Sequence, residues 1–381
     1  MLAVKAKTIL TPYRTLKDAY LIIRKDRIVG VSRERPIDVD EIRAYDDCII
    51  TPGLVDIHMH GGFGVDILYS SSRGILELSK KLLTTGVTSY MPSIVTASLE
   101  DMKSAIRNLK EAAKSNFGSK ILGIHLEGPY LNPARSGAQP RGYIRKPSFE
   151  EFEEFYRLSD GMIRRVTVAP EIDGGIEFIG NVVEKFGVKV SIGHTDATYD
   201  QALEAFSAGA SIITHLYNGM RRFHHREPGI VGATLVRDVY AEIIADLVHL
   251  HPATITFTVR CKNPSRIVLV SDSISGAGLE DGEYKFGPYN LIIEKGVAKL
   301  RDGTLAGSTL TMIRAVRNMV KIGVSLKNAV RMATSTPSNA MGIRDIGKIS
   351  RGCKADFIVL NKHMEVIEAY VDGKPILKEI Q

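Results

Sequence analysis

The chain has 381 residues, with 50 Lys and Arg against 43 Asp and Glu, a net charge of +7. That length predicts two domains or one barrel with an appendage, and it suffices to bury roughly three quarters of the unfolded surface. With 34 Gly and 15 Pro, collagen-like, low-complexity and disordered classes are excluded. No run approaches the about 18 uncharged apolar residues of a membrane span, and the start, MLAVKAKTIL, has no apolar stretch of a secretion signal. The cysteines Cys48, Cys261 and Cys353 are far apart and odd in number, the pattern of reduced thiols in a cytoplasmic protein. The positive excess is densest at Arg221, Arg222, His224, His225 and Arg226. That cluster reads as a solvated face or an anion site, and no zinc-finger spacing or aromatic–basic motif points to nucleic acid.

The chain opens with short β-rich runs, AYLIIRKDRIVGV and DDCIITPG, and closes with another, KADFIVLNKHMEVIEAYVDGKP. Neither end can form a core alone, so residues 1–51 and 341–381 are expected to pack together as one small β-sandwich. Between them, over residues 52–340, apolar strands alternate with amphipathic runs such as ILELSKKLLTTG and DMKSAIRNLKEAA, the signature of parallel α/β architecture. Eight strand candidates follow in order: GLVDIHMH, TSYMPSIV, ILGIHLEG, RRVTVAPE, KVSIGHTD, ASIITHLYN, AEIIADLVH and RIVLVSDS. Eight β/α units predict a (β/α)8 TIM barrel with its active site at the C-terminal strand ends. Gly276, Gly278 and Gly282 faintly resemble a dinucleotide loop, but YNLIIEKGVAKL after them reads as a β-hairpin rather than a helix.

Nearly every strand starts apolar and finishes on a polar residue. His58 and His60, two apart on the first strand, face the same side and suit a divalent metal; an isolated pair at this spacing is as consistent with a structural role. His125 and Glu127 repeat the spacing on the third strand, and a buried lone carboxylate is costly unless paired or bound to metal. His194 is read at the end of the fifth strand, His215 of the sixth, His249 of the seventh and Asp272 of the eighth. Together they predict a metal centre on one rim. His125 is read as packing beside the ligands rather than among them. His251 is a weaker alternative to His249, and His224, His225 and His363 receive no role.

The HxH of the first strand, His on the fifth and sixth and Asp on the eighth resemble the amidohydrolase superfamily. The flanking ITPGLVDIHMHG and GKISRGCKADFIVL resemble that superfamily's second domain. More narrowly, HLEGPYLNP, SIGHTDAT, THLYNGM, HREPGIVGA, IADLVH, LVSDS and LAGSTLTM are similar to the N-acetylglucosamine-6-phosphate deacetylase family, in the family's order from about residue 50 to 312. The resemblance implies that Glu127, His194 and His215 bind a divalent metal (Zn, Fe, Mn or Co) and that His58 and His60 hold a second where one is present. It implies Asp272 as catalytic acid and base, His249 as the group polarising the acetamide carbonyl, and Asn218, Gly219 and Arg226 as phosphate contacts. Gln139 falls where some members carry His, so its substrate contact stays open. The implied reaction is hydrolysis of a linear amide on an amino-sugar phosphate, by a homodimer with no nucleic-acid or membrane partner. Other amidohydrolase activities compete with it: an N-acetylgalactosamine-6-phosphate deacetylase, or an N-acyl-amino-acid or cyclic-amide hydrolase. A catalytically silent metal-binding protein would have no use for Asp272.

Overall fold

A computed structural model describes residues 1–115 and 117–377. Eight parallel strands, Leu54–Met59, Val87–Val95, Ile124–Glu127, Ile163–Val168, Lys189–Ile192, Ile212–Ile213, Tyr240–Ile244 and Ile267–Val270, pair each with the next. A helix follows each of them, from Ser72–Leu82 after the first to Met312–Lys321 after the eighth. The local chemistry dictates these helices: Ser71, Ser98 and Ser148 each accept a backbone N–H at an N-terminus, and Thr198 with Gln201 closes a capping box. The strands are nearly continuous apolar runs because both faces are covered, the second being buried along its whole length. This is the expected (β/α)8 barrel.

The seam between the first and eighth strands is closed by hydrogen bonds that lie at the active end. The Asp272 N–H donates to His58 O at 2.9 Å and the His60 N–H to Ser273 O at 2.7 Å. Below them, the buried Asp56 carboxylate accepts the N–H groups of His58 and Ser271. The seam thus fixes His58, His60 and Asp272 relative to one another.

Several strands stop short of the sequence pattern, the sixth and seventh by the most. The sixth stops at Ile213 rather than running to Asn218, and the seventh at Ile244 rather than His249. Apolar periodicity continues past both points, but the backbone does not: His215, Tyr217 and Leu247 have φ of +30°, +80° and +67°. His194 and Asp272 share this left-handed conformation, both at +48°, so the polar residues sit on turns just past the strands rather than on their last pleats. His249 lies five residues beyond its strand, in the following loop.

The chain ends pair into one seven-stranded sheet, in the order Lys374–Pro375, Val366–Val371, Phe357–Leu360, Glu41–Pro52, Leu2–Leu10, Thr15–Arg24, Arg27–Ser32. Glu41–Pro52 joins the two ends, running parallel to Leu2–Leu10 and antiparallel to Phe357–Leu360. Val4, Ile9, Leu21, Ile50, Phe357 and Tyr370 form a separate apolar cluster there, while Ile358, Leu360, Ala369 and Val371 belong to the barrel's cluster. Alternate residues of the C-terminal strands therefore bind the sheet to the barrel. The predicted hairpin is Tyr289–Glu294 paired with Val297–Lys299, joined by Gly282–Phe286 into a small antiparallel sheet. Its Phe286 ring meets His60 edge-on, with centroids 5.4 Å apart, and so walls the barrel mouth. Among the described residues, no helix is long and apolar enough to cross a membrane.

Candidate active site

The polar strand ends converge on one buried carboxylate, Glu127. His215 Nε2 and His194 Nε2 lie 3.0 and 3.3 Å from its Oε1, His58 Nε2 lies 3.3 Å from the same oxygen, and His60 Nε2 lies 3.0 Å from Oε2. Asp272 Oδ1 stands 3.4 Å from His60 Nε2 and 3.6 Å from His58 Nε2. Two groups have the compactness of a metal site: Glu127 with His194 and His215, and Asp272 with His58 and His60, each with donor atoms within 4.8 Å of one another.

The far side of each ring says which nitrogen faces inward. His58 Nδ1 lies 3.0 Å from Glu242 Oε2, His60 Nδ1 3.0 Å from Ser93 O, and His194 Nδ1 3.0 Å from Arg135 O. Carboxylate and carbonyl oxygens only accept, so each Nδ1 carries a proton, and the ring, when neutral, presents its Nε2 lone pair to the centre. The buried Nδ1 of His215 has no hydrogen-bond partner among the described residues. Lone pairs that close together, 3.3 Å between His58 and His60 and 3.1 Å between His194 and His215, repel one another and the Glu127 carboxylate unless a positive charge lies among them. Nitrogen and carboxylate donors in this arrangement fit a divalent cation. Where no cation lies among them, protons answer the same demand, and Nε2 then donates instead of offering its lone pair. Burial would raise the Glu127 carboxyl, but the His58 charge and hydrogen bonds from His194, His215 and His58 hold it well below the usual range. Burial would lower His58, yet Glu127, Glu242 and Asp272 raise it well above an ordinary histidine.

His249 stands across the cleft. Its Nδ1 lies 2.7 Å from Asp246 Oδ2. Burial opposes its charge, but that bond and the charges of Asp246 and Asp272 raise its pKa. The cleft is lined by His60, Glu127, Gln139, His194, His215, Asn218, Gly219, His249, Asp272 and Phe286 among others. Gln139 donates from Nε2 to Glu127 Oε2 and accepts the Thr96 N–H at 2.9 Å, so its amide is committed to holding the carboxylate. Gly219 cannot be larger: φ is +59°, and a Cβ there would meet His194 Nδ1 at 2.9 Å. Arg226 is not brought into the cleft. It is exposed, on the loop rising from the Asn218–Gly219 wall, with Nη1 2.9 Å from His225 Nε2. Arg221 is tied to Asp196. His251 is exposed and caps the helix Pro252–Cys261 by accepting the Ala253 N–H, away from the cleft lining. His125 is wholly buried between Ser93 Oγ (2.8 Å) and Thr167 Oγ1 (2.7 Å), and burial with the Arg165 charge holds its pKa well below that of an ordinary histidine.

Three residues absent from the sequence reading complete the centre: Asp246 behind His249, and the buried pair Arg165 and Glu242 behind His58. Arg165 and Glu242 are both 0% exposed and ion-paired. A faint signal for them exists, since each is a charged residue at an inward position of a barrel strand.

Fold and centre together define a hydrolase barrel built around buried imidazoles and carboxylates, and comparison with known proteins agrees. The Amidohydrolase family model matches residues 49–376, and the chain belongs to that family. It is 37% identical to the N-acetylglucosamine-6-phosphate deacetylase of Bacillus subtilis (strain 168), over 96% of this chain and 94% of that protein. It is 34% identical to the N-acetylgalactosamine-6-phosphate deacetylase of Escherichia coli O157:H7, over 97% and 98%. The solved structure of a mutant N-acetyl-D-glucosamine-6-phosphate deacetylase from Mycobacterium smegmatis, in complex with N-acetyl-D-glucosamine-6-phosphate, superposes with a TM-score of 0.93 at 33% identity, covering 98% of this chain and 99% of that one.

Proposed function

We propose that this protein hydrolyses the N-acetyl group of N-acetylglucosamine 6-phosphate, a linear amide, giving glucosamine 6-phosphate and acetate in amino-sugar catabolism and recycling. The observation that carries the reading is the convergence of four imidazoles and Asp272 on the buried Glu127 at the mouth of an amidohydrolase barrel. Relatives bearing that activity cover nearly the whole chain.

Glu127, His194 and His215 would hold the first cation, and His58, His60 and Asp272 a second where two are bound. A divalent cation there, whether Zn, Fe, Mn or Co, lowers the pKa of water toward about 7 and polarises a carbonyl. The chain's own groups do the rest. Asp272 accepts a proton from the attacking water. Protonated His249, held by Asp246, donates a hydrogen bond to the acetyl oxygen as negative charge develops on it. Asp272 then passes its proton to the departing amine, a poor leaving group until protonated. Phe286 and the hairpin sheet cover the reacting end. The backbone at Asn218 and Gly219 offers donors for the phosphate, and Arg226 above them a planar cationic fork that matches phosphate oxygens. Residues 1–51 with 341–381 are taken as the accessory domain and 52–340 as the catalytic one. The free thiols Cys48, Cys261 and Cys353 suit a reducing compartment, and we read the protein as a cytoplasmic homodimer.

Acetate release from N-acetyl hexosamine 6-phosphates of gluco, galacto and manno configuration, with unphosphorylated and N-acyl-amino-acid controls, tests the reading. Highest kcat/KM on the gluco phosphate is expected. Turnover confined to N-acyl amino acids or cyclic amides would overturn it, and preference for the galacto epimer would move the assignment to that sugar.

A further inference from the structure

Beneath the ligands, the barrel departs from the bulky apolar layers that normally fill such an interior. Ser93, His125, Thr167, Ser191, Thr214, Arg165 and Glu242 form a polar floor, all of them buried. Glu242, on the seventh strand, joins the two ligand groups. Its Oε2 lies 3.0 Å from His58 Nδ1 and accepts the His215 backbone N–H at 3.1 Å, while its Oε1 is paired with Arg165. Arg165, on the fourth strand, spends its other donors on Ser191 Oγ (2.9 Å), Thr214 Oγ1 (3.1 Å) and Ile57 O (3.3 Å). One guanidinium thus ties the first, fourth and fifth strands and the residue just past the sixth to the carboxylate on the seventh.

Burying two charges is unfavourable unless they are paired, and even a good pair rarely stabilises a fold more than apolar packing would. Stability alone gives no reason for this pair, whereas its position against His58 does. We propose that Glu242, oriented and neutralised by Arg165, is a positioning residue for the cation centre: it fixes His58 with the proton on Nδ1 and the lone pair on Nε2, and thereby gives the His58, His60 and Asp272 group its affinity for a cation of its own. The alternative tautomer would leave a carboxylate facing a lone pair on one side and turn an N–H toward the cation on the other. The inference deepens the proposed function and rests on its cation centre, but not on the identity of the substrate.

The test is Zn2+ titration into cation-free protein by calorimetry, with elemental analysis of the loaded protein. Long-range 1H–15N spectra of the zinc-loaded protein report which nitrogen of each histidine ring carries the proton. The wild type should take two equivalents and show His58 protonated at Nδ1. Glu242→Gln should keep the equivalent held by Glu127, His194 and His215 and bind the second about 10–100-fold more weakly, the usual loss when a ligand's hydrogen-bond partner is removed. Its His58 ring should populate the Nε2–H form. Because Glu242→Gln strands a buried guanidinium, Arg165→Met/Glu242→Gln carries the same test with neither charge present, after its melting temperature shows that it folds. One equivalent in the wild type, or wild-type affinity for both equivalents in either folded variant, overturns the proposal. Acetate release plays no part in this readout, so failure of the deacetylase reading would be seen separately, as a fully loaded wild type that does not turn over the sugar phosphate.

Discussion

Asp272→Asn separates chemistry from architecture. Asp272 is only 7% exposed, and its Oδ1 stands 3.4 Å from His60 Nε2. Its backbone is held independently, donating to His58 O at 2.9 Å and accepting from the Ser308 N–H at 2.7 Å. Asparagine has the same shape and tolerates the φ of +48°, so the barrel seam should survive. The Glu127, His194 and His215 group contains no atom of Asp272 and should keep its cation. What disappears is the base. General acid–base assistance is worth about 10²–10⁴-fold, or about 2.7–5.5 kcal/mol of barrel-mouth chemistry, and here one residue serves two proton transfers, so the loss in kcat should reach at least that range. The assay is kcat on N-acetylglucosamine 6-phosphate with metal content measured on the same preparation. Near-normal kcat with metal retained would remove Asp272 from the mechanism. A loss accounted for wholly by missing metal would make it a ligand only.

Glu127→Ala, His194→Ala and His215→Ala should each lose most bound metal and activity, whereas His58→Ala should cost less metal; elemental analysis showing full occupancy in the His194 and His215 variants would refute the ligand assignment. Arg226→Ala should cut the preference for the 6-phosphate over unphosphorylated N-acetylglucosamine, read as the ratio of kcat/KM values. An unchanged ratio would place the phosphate elsewhere, and since Arg221 is tied to Asp196, Arg222 would be the cation to test next. Asp246→Asn removes the negative charge that helps raise the His249 pKa against burial. If protonated His249 serves the reaction, the rate falls as pH rises through its raised pKa, and the variant should bring that fall to lower pH; a kcat–pH profile with an unmoved basic limb would contradict the role.

The barrel and its rim were legible because strand alternation and ligand chemistry leave marks in sequence. A run such as LVDIHMH or IVLVSD is apolar until the strand meets the site and polar thereafter. The ends of the sixth and seventh strands were not legible, because left-handed backbone at His215, Tyr217 and Leu247 ends pairing without interrupting the apolar pattern. Arg165 and Glu242 were missed for a different reason. In RRVTV and AEII a charged residue looks like the solvent side of an edge strand, and only closure of the barrel turns both inward and makes them partners across 77 residues of sequence. Arg226 shows the converse limit: HREPG marks an anion loop by resemblance, yet a single chain leaves that side chain exposed and outside the cleft lining.

The most direct measurement of the central claim follows acetate release from N-acetylglucosamine 6-phosphate through removal and return of the cation. The protein is stripped with a chelator, checked for native fold, and reloaded stepwise with a divalent metal while occupancy and rate are recorded together. The account predicts that stripped protein is inactive, that activity returns in proportion to the first equivalent bound, and that Glu127→Ala recovers none of it. Full activity in folded, cation-free protein, or in a Glu127→Ala variant that binds no metal, would contradict it.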